Sequence, residues 1–287
     1  MSCRFPFLSD CVVKMCTVPV PPPPPPAPIL TDPKAKKRKP SRFIDINSPT
    51  FSYNDICEWA ADHPQLWEAC AKYNICLDQQ PFKFNYKHLN AILQIGPTCG
   101  LVALSMMLNG EVSPDEMLAI ARTASFSNNG EMFSCKNMIR LIEKVVSLAE
   151  LQNVNYYLQT GGLFSHDTVE KLLNGSMLLV PYDADFNHGP CLKQGHKAHW
   201  ALICGVVVVD DPGSSYASDP DNVFVLCRHG KSRYLAAWSL ADLDRSNKNL
   251  YEFSPKREDD GLIYVLPPGG LGGEHGLRDQ FVIFDGL

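Results

Sequence analysis

An α+β fold is predicted for this chain of 287 residues, and three observations predict it. The first half carries apolar residues at helical spacing. The second half carries short β-branched runs bounded by turn residues. A proline-rich segment stands apart from both. Helices and strands that fall in separate blocks mark α+β, whereas regular alternation would mark a parallel α/β sheet. Hydrophobic residues make up 45% and charged residues 20%, enough apolar material for one packed domain.

The elements follow in chain order. Eight of the 23 prolines lie between Pro19 and Pro28. Such a run has a fixed φ and no amide donors, so it takes the extended polyproline helix and joins no core. The basic run Lys34–Lys39 comes next, equally readable as a nuclear signal or a solvated spacer. Residues 1–48 are therefore expected to be a disordered tail and residues 49–287 one domain. Within the domain a helix is expected from Ser52 to about Ala71, broken near Pro64, and a second from Asn85 to Leu93. A third begins at Cys99, with Leu101, Val102, Leu104 and Leu108 on one side. Ser113-Pro114-Asp115-Glu116 is a capping box that opens a helix running to about Ala124. Ser134 caps another, with Met138, Leu141, Ile142 and Val145 on one face, and a short helix ends at Gly175. Strands are then expected at Met177–Pro181, His199–Val209, Val223–Cys227, Ser232–Trp238, Leu262–Leu266 and Phe281–Phe284.

Composition narrows the function. A net charge of −5 argues against a general nucleic-acid binder. The longest apolar run, Trp200–Val209, is half of what a membrane helix needs, so no membrane span is expected. The start MSCRFPFLSD reads as no secretory signal. Eleven cysteines, an odd number without any CxxC pair, then read as reduced thiols of a cytoplasmic protein.

Chemistry concentrates in two segments. In Gln94-Ile-Gly-Pro-Thr-Cys99-Gly, Gly96 and Pro97 break the chain so that Cys99 falls at a helix start. Unpaired amides and the positive end of the helix dipole stabilise a thiolate there. Gln94 reaches back across the same turn and offers an amide to a developing oxyanion. A base is needed, and His199 stands at the mouth of the long strand in Gly195-His-Lys-Ala-His199-Trp, with His196 as a less rigidly held rival. His188, Cys191, His196 and His199 also have spacing that resembles a zinc set, although three histidines with one cysteine is an uncommon combination. Asp210 lies ~36 Å along a straight strand from His199, which excludes it and Asp211 as orienting acids. A hairpin centred near residue 215 instead brings Arg228, His229, Gly230 and Lys231 beside His199, and among these His229 is the plausible acceptor.

Four blocks in order resemble a known family: Gln94…Gly96-Pro-Thr-Cys99-Gly-Leu-Val-Ala-Leu, Gly130-Glu-Met-Phe-Ser134, Pro181-Tyr-Asp-Ala-Asp-Phe-Asn-His188 and Gly195-His-Lys-Ala-His199-Trp. They look like the actin maturation proteases, papain-like cysteine peptidases similar to bacterial double-glycine leader peptidases. Gly230-Lys-Ser232, Arg245-Ser-Asn247 and Phe253-Ser-Pro255 extend the likeness. The resemblance implies a papain-like fold, in which a helix carrying the cysteine packs on an antiparallel sheet carrying the histidine. It implies removal of the acetylated first residue, methionine or cysteine, from new actin, ahead of an acidic stretch. Cys99 would be the nucleophile, His199 the base and Gln94 the oxyanion donor, with no metal or other cofactor. Lys193, Lys197, Arg228 and Lys231 would draw in the acidic terminus. The polyproline run would tether profilin, the carrier of monomeric actin. Leader peptidases place an acid on the strand after the histidine, where this chain reads Cys227-Arg-His-Gly230. Two other classes stay in view: an inactive adaptor of the same fold, and a general peptidase or deubiquitinase.

Overall fold

A computed structural model of the chain describes residues 58–76 and 79–286. The expected tail of residues 1–48, the domain boundary at 49 and the start of the first helix at Ser52 lie outside the described residues.

The domain is α+β. Helices α1 (Pro64–Lys72), α2 (Cys99–Met107), α3 (Pro114–Thr123) and α4 (Cys135–Leu148) come first, interrupted only by a short strand, β1 (Lys83–Tyr86). Then follow β2 (Asn155–Thr160), α5 (His166–Leu173), β3 (Met177–Asp183), β4 (Ala198–Val208), β5 (Val223–Arg228), β6 (Ala236–Ser239), α6 (Leu240–Lys248), α7 (Pro255–Glu258) and β7 (Gln280–Asp285). Seven strands form one sheet, six of them in the order β2-β7-β3-β4-β5-β6 with β1 paired to β4 off that path, and all its pairs are antiparallel. Strand β4 is long enough to pair on one edge with β3 over residues 198–203 and with β1 over residues 205–208.

Local chemistry explains most of the helices. The Ser113 hydroxyl accepts from the Glu116 amide at 3.3 Å, and the Glu116 carboxylate accepts from the Ser113 amide at 2.9 Å, closing the capping box of α3. Ser134 caps α4 by accepting from the Asn137 amide, and Met138, Leu141, Ile142 and Val145 on its inner face are all buried. Helix α2 is buried on every side, so it reads as continuously apolar without a polar stripe.

Both faces of the sheet are covered. Trp200, Leu202 and Cys204 of β4 face the layer of α2, α3 and α4, while Ala201 and Ile203 join a second core with Val169 of α5 and Leu243 of α6. The register of β4 slips between Ile203 and Gly205. Beyond that bulge the parity inverts, and Val207 rather than Val206 or Val208 faces the helical layer. Gly205 permits this because a Cβ there would lie 2.5 Å from the Asn85 carbonyl oxygen of β1.

Several expectations are corrected. The segment Asn85–Leu93 is not a helix: residues 83–86 form β1, and residues 87–95 run on as irregular chain. Pairing of residues 83–86 with the open edge of β4 satisfies the backbone at the start of that segment, and the Asn85 side chain donates to the Leu173 carbonyl at 2.9 Å instead of capping a helix. Ser232–Trp238 shortens to a strand over Ala236–Ser239, because residues 230–235 form the turn that leads into it. Leu262–Leu266 forms no strand. Ile263 is largely exposed there, and its carbonyl accepts from the side chains of Asn128 and Asn129 instead of a ladder neighbour. Three labelled elements were not foreseen: β2, whose Tyr156-Tyr157-Leu158 run was the available signal, α6, capped by Ser239 accepting from the Asp242 amide, and the short α7 that opens at Pro255.

Among the described residues, no helix is long and apolar enough to cross a membrane.

Candidate active site

Glycine and proline set the start of α2. Gly96 takes φ +67°, Pro97 follows, and the Thr98 hydroxyl donates to the Ile95 carbonyl at 2.9 Å, so the helix begins at Cys99. The 127–134 loop closes against this turn. Gly130, at φ +110°, lies where a Cβ would come 2.5 Å from the Thr98 methyl group. Next to the thiol, Gly100 lets the Trp200 indole approach to within 3.1 Å of where a Cβ would stand, and Trp200 donates to the Met132 carbonyl at 2.8 Å. Cys99 is thereby wedged between the helix start and the central strand, 8% exposed. It opens on a cleft of about 420 Å³ that Gln94, His199, Lys197, Lys231 and Arg257 also line.

His199 comes from the second residue of β4, opposite Tyr182 of β3. Its Nε2 lies 2.7 Å from the backbone carbonyl oxygen of His229. A carbonyl only accepts, so Nε2 carries a proton and Nδ1 is left to meet the thiol. Burial by itself would push the Cys99 thiol up. The charge of the His199 imidazole and its hydrogen bond outweigh that, helped by the Trp200 amide and by Arg257, and the thiol falls below its ordinary value. Burial would lower His199, but the facing Cys99 thiolate and its hydrogen bond raise it above an ordinary histidine, with the His229 carbonyl adding to the effect. The two shifts run in opposite directions, and each favours the charged form of its group, thiolate on Cys99 and imidazolium on His199.

His229 lies beside His199, but the atom that meets it is the main-chain carbonyl and not the imidazole. Leu202 opposes Arg228, which centres the hairpin on residue 215. The imidazole does not orient His199: its Nδ1 is buried with no hydrogen-bond partner among the described residues, and the ring stacks on Trp238 at 5.7 Å. Burial first, then the charges of His199 and His188, push it down to about 4, so it is neutral. The acceptor is the main-chain carbonyl, which any residue at 229 would supply.

Gln94 is half-buried at the same cleft. Its backbone amide donates to the Gly230 carbonyl at 2.8 Å, its side-chain amide donates to the Gly96 carbonyl at 2.7 Å, and its Oε1 is buried with no hydrogen-bond partner among the described residues. The four expected cations separate. Lys197 and Lys231 line the cleft. Lys193 stays on the rim, paired with Asp185 and 4.5 Å from the Phe186 ring centroid. Arg228 is a correction: only 1% exposed, it donates to the Arg233 carbonyl at 2.7 Å and to the Gln65 side chain, so its guanidinium is not offered to a substrate. In its place stands Arg257 on α7, 5.4 Å from the Phe133 ring centroid, a residue that the Lys256-Arg257 pair after Ser254-Pro255 signalled only faintly.

The zinc arrangement is not formed. Among the described residues no three His, Cys, Asp or Glu side chains gather to hold a metal ion, and His196 lies 3.0 Å from a Glu252 carboxylate oxygen.

Fold and cleft together define an α+β domain in which a thiol at a helix start meets an imidazole on the central strand. The family model described as "Actin maturation protease-like, C-terminal domain" matches residues 89–207. The chain is 42% identical over 234 residues to a Drosophila melanogaster protein named actin maturation protease, covering 81% of this chain and 82% of that one. It is 35% identical over 239 residues to the Danio rerio protein of the same name, with 72% and 75% covered. For the Homo sapiens protein of that name the figures are 34% over 219 residues, 64% and 60%. The chain belongs to the actin maturation protease family, and is thereby placed among peptidases.

Proposed function

We propose that this chain is a cysteine aminopeptidase that removes the N-acetylated first residue, methionine or cysteine, of immature actin. The observation that carries the reading is the Cys99–His199 pair, with His199 Nε2 fixed on the His229 carbonyl so that Nδ1 serves the thiol. The helix-borne thiol and the strand-borne imidazole, packed as helix on antiparallel sheet, correspond to a papain-like arrangement. The names of the relatives supply actin.

The reaction is acyl transfer in two steps. The Cys99 thiolate attacks the carbonyl carbon of the acetylated first residue, and the oxyanion forms against the Cys99 backbone amide and the Gln94 side chain. The C–N bond then breaks, and the imidazolium of His199 gives its proton to the departing amine. Neutral His199 next takes a proton from water, the hydroxide attacks the thioester, and the acetylated amino acid leaves as the thiolate and imidazolium return. For the oxyanion step, Gln94 must release Gly96 and turn its amide to the substrate. Lys197, Lys231 and Arg257 give the cleft a positive lining that suits an acidic terminus.

Incubating the full chain with an acetylated actin N-terminal peptide tests the reading. Mass spectrometry should show loss of the acetylated first residue alone, and a peptide left intact would refute it. Gln94→Ala should lower turnover about 10²–10³-fold with little change in KM, the size expected for one oxyanion donor.

The proline run Pro19–Pro28 is proposed to bind profilin, holding the enzyme near profilin-bound actin. Deleting residues 1–48 should slow processing of actin held by profilin while leaving peptide cleavage unchanged, because the effective concentration supplied by a tether is lost. Equal loss on both substrates would place part of the folded domain within those residues.

A further inference from the structure

We propose that a groove beside the cleft, between α1 and the turn joining β5 to β6, binds the acidic stretch of the substrate that follows the scissile bond. The inference rests on the peptidase reading above. The groove measures about 570 Å³ and is lined by Gln65, Glu68, Leu93, Lys231, Arg233 and Tyr234 among others. Lys231 also lines the catalytic cleft, so the groove opens from it.

The chemistry gives the groove a direction. His199 must protonate the leaving amine, so the chain beyond the scissile bond departs past His199. Lys231, three residues past the end of β5 at Arg228, lines the same cleft as His199, and its charge acts on the His199 ring. The groove therefore begins where the departing chain must pass. Gln94, Met132 and Phe133 line the cleft itself.

Both walls are held from beneath by one buried side chain. Arg228 donates to the Arg233 carbonyl in the turn and to the Gln65 side chain on α1. The turn is fixed further by Gly230 at φ +71°, whose carbonyl accepts from the Gln94 amide. A Cβ at 230 would come 3.1 Å from Val102. Above this frame Lys231 and Arg233 are exposed, and among the described residues neither is in an ion pair. Tyr234 is 73% exposed and Leu93 44%, apolar surface set among the two cations. An extended acidic peptide satisfies both features: its carboxylates meet the cations and its stem lies on the ring and the leucine. Glu68 is the acidic member of the lining and selects against placing a carboxylate at the α1 end of the groove.

The test uses two acetyl-Met peptides, one continuing in aspartates and one with asparagine at each of those positions. For the full chain, kcat/KM should favour the aspartate peptide, and the preference should fade as salt is raised, because exposed charges are screened. Arg233→Glu should cut the preference about tenfold, through KM rather than kcat, as expected when an exposed attraction becomes a repulsion. Arg233→Lys should retain most of it. An unaltered preference and salt dependence in Arg233→Glu overturns the groove while leaving the peptidase standing. Cleavage of neither peptide by the unsubstituted chain overturns the peptidase reading, and the groove with it.

Discussion

Cys99→Ala is expected to abolish cleavage of acetylated peptides, by about 10⁴-fold or more, since no other group in the cleft can form the thioester. The fold should survive. The substitution removes one sulfur from a small space between α2 and Trp200, at a stability cost of about 1 kcal/mol. Circular dichroism and a denaturant midpoint close to the parent, beside absent turnover, are the expected pair of results. Cleavage at more than a few per cent of the parent rate would exclude Cys99 as the nucleophile. The other buried cysteines offer no substitute: burial pushes Cys135 and Cys204 up, Cys204 to about 12, so they stay protonated near neutral pH.

His199→Ala is expected to lower turnover about 10³-fold, within the range for loss of a general acid and base. It should also change the thiol itself. With the imidazole gone, the main influence that lowers Cys99 is lost while burial remains, so its titration moves to higher pH. The rate of alkylation by iodoacetamide, followed against pH in the parent and the variant, reads this directly. In the parent, alkylation should persist below the ordinary thiol range, and in the variant it should rise only in alkaline solution. The sign in the peptidase assay follows from the same pair. Activity needs Cys99 deprotonated and His199 protonated. The acid limb therefore falls below the ordinary thiol value, and the alkaline limb lies above the ordinary histidine value. An alkylation profile unchanged by His199→Ala would mean that the two side chains are not coupled.

Much of this architecture was legible residue by residue. The capping box at Ser113, the Ser134 cap and the Gly96-Pro97 break are encoded within a few residues, and the helices begin where those signals stand. The apolar run after His199 gave β4, and the turn-rich interval after it gave a hairpin centred on residue 215. The long strand and its hairpin place residues 228–231 near His199, and the Gly96-Pro97 break places Cys99 at a helix start. The strand β1 at residues 83–86 was not legible, because its pairing depends on an edge of β4 more than a hundred residues away in sequence.

What the chain's own order of residues determined is the set of local events: where helices start, which runs alternate or stay apolar, and which histidine heads the long strand. Only the tertiary structure decided which atoms face one another. The acceptor for His199 is a carbonyl, and a carbonyl belongs to every residue, so no side-chain identity announces it. Arg228 and Arg257 exchange places for a related reason. Arg228 is held beneath the β5–β6 turn, where Gln65 and the Arg233 carbonyl take its guanidinium, whereas α7 brings Arg257 across the chain to the cleft. The β4 bulge likewise inverts the side chains beyond Gly205, a change of face that comes from one residue of slip against its neighbours and leaves no mark in the apolar run Val206-Val207-Val208.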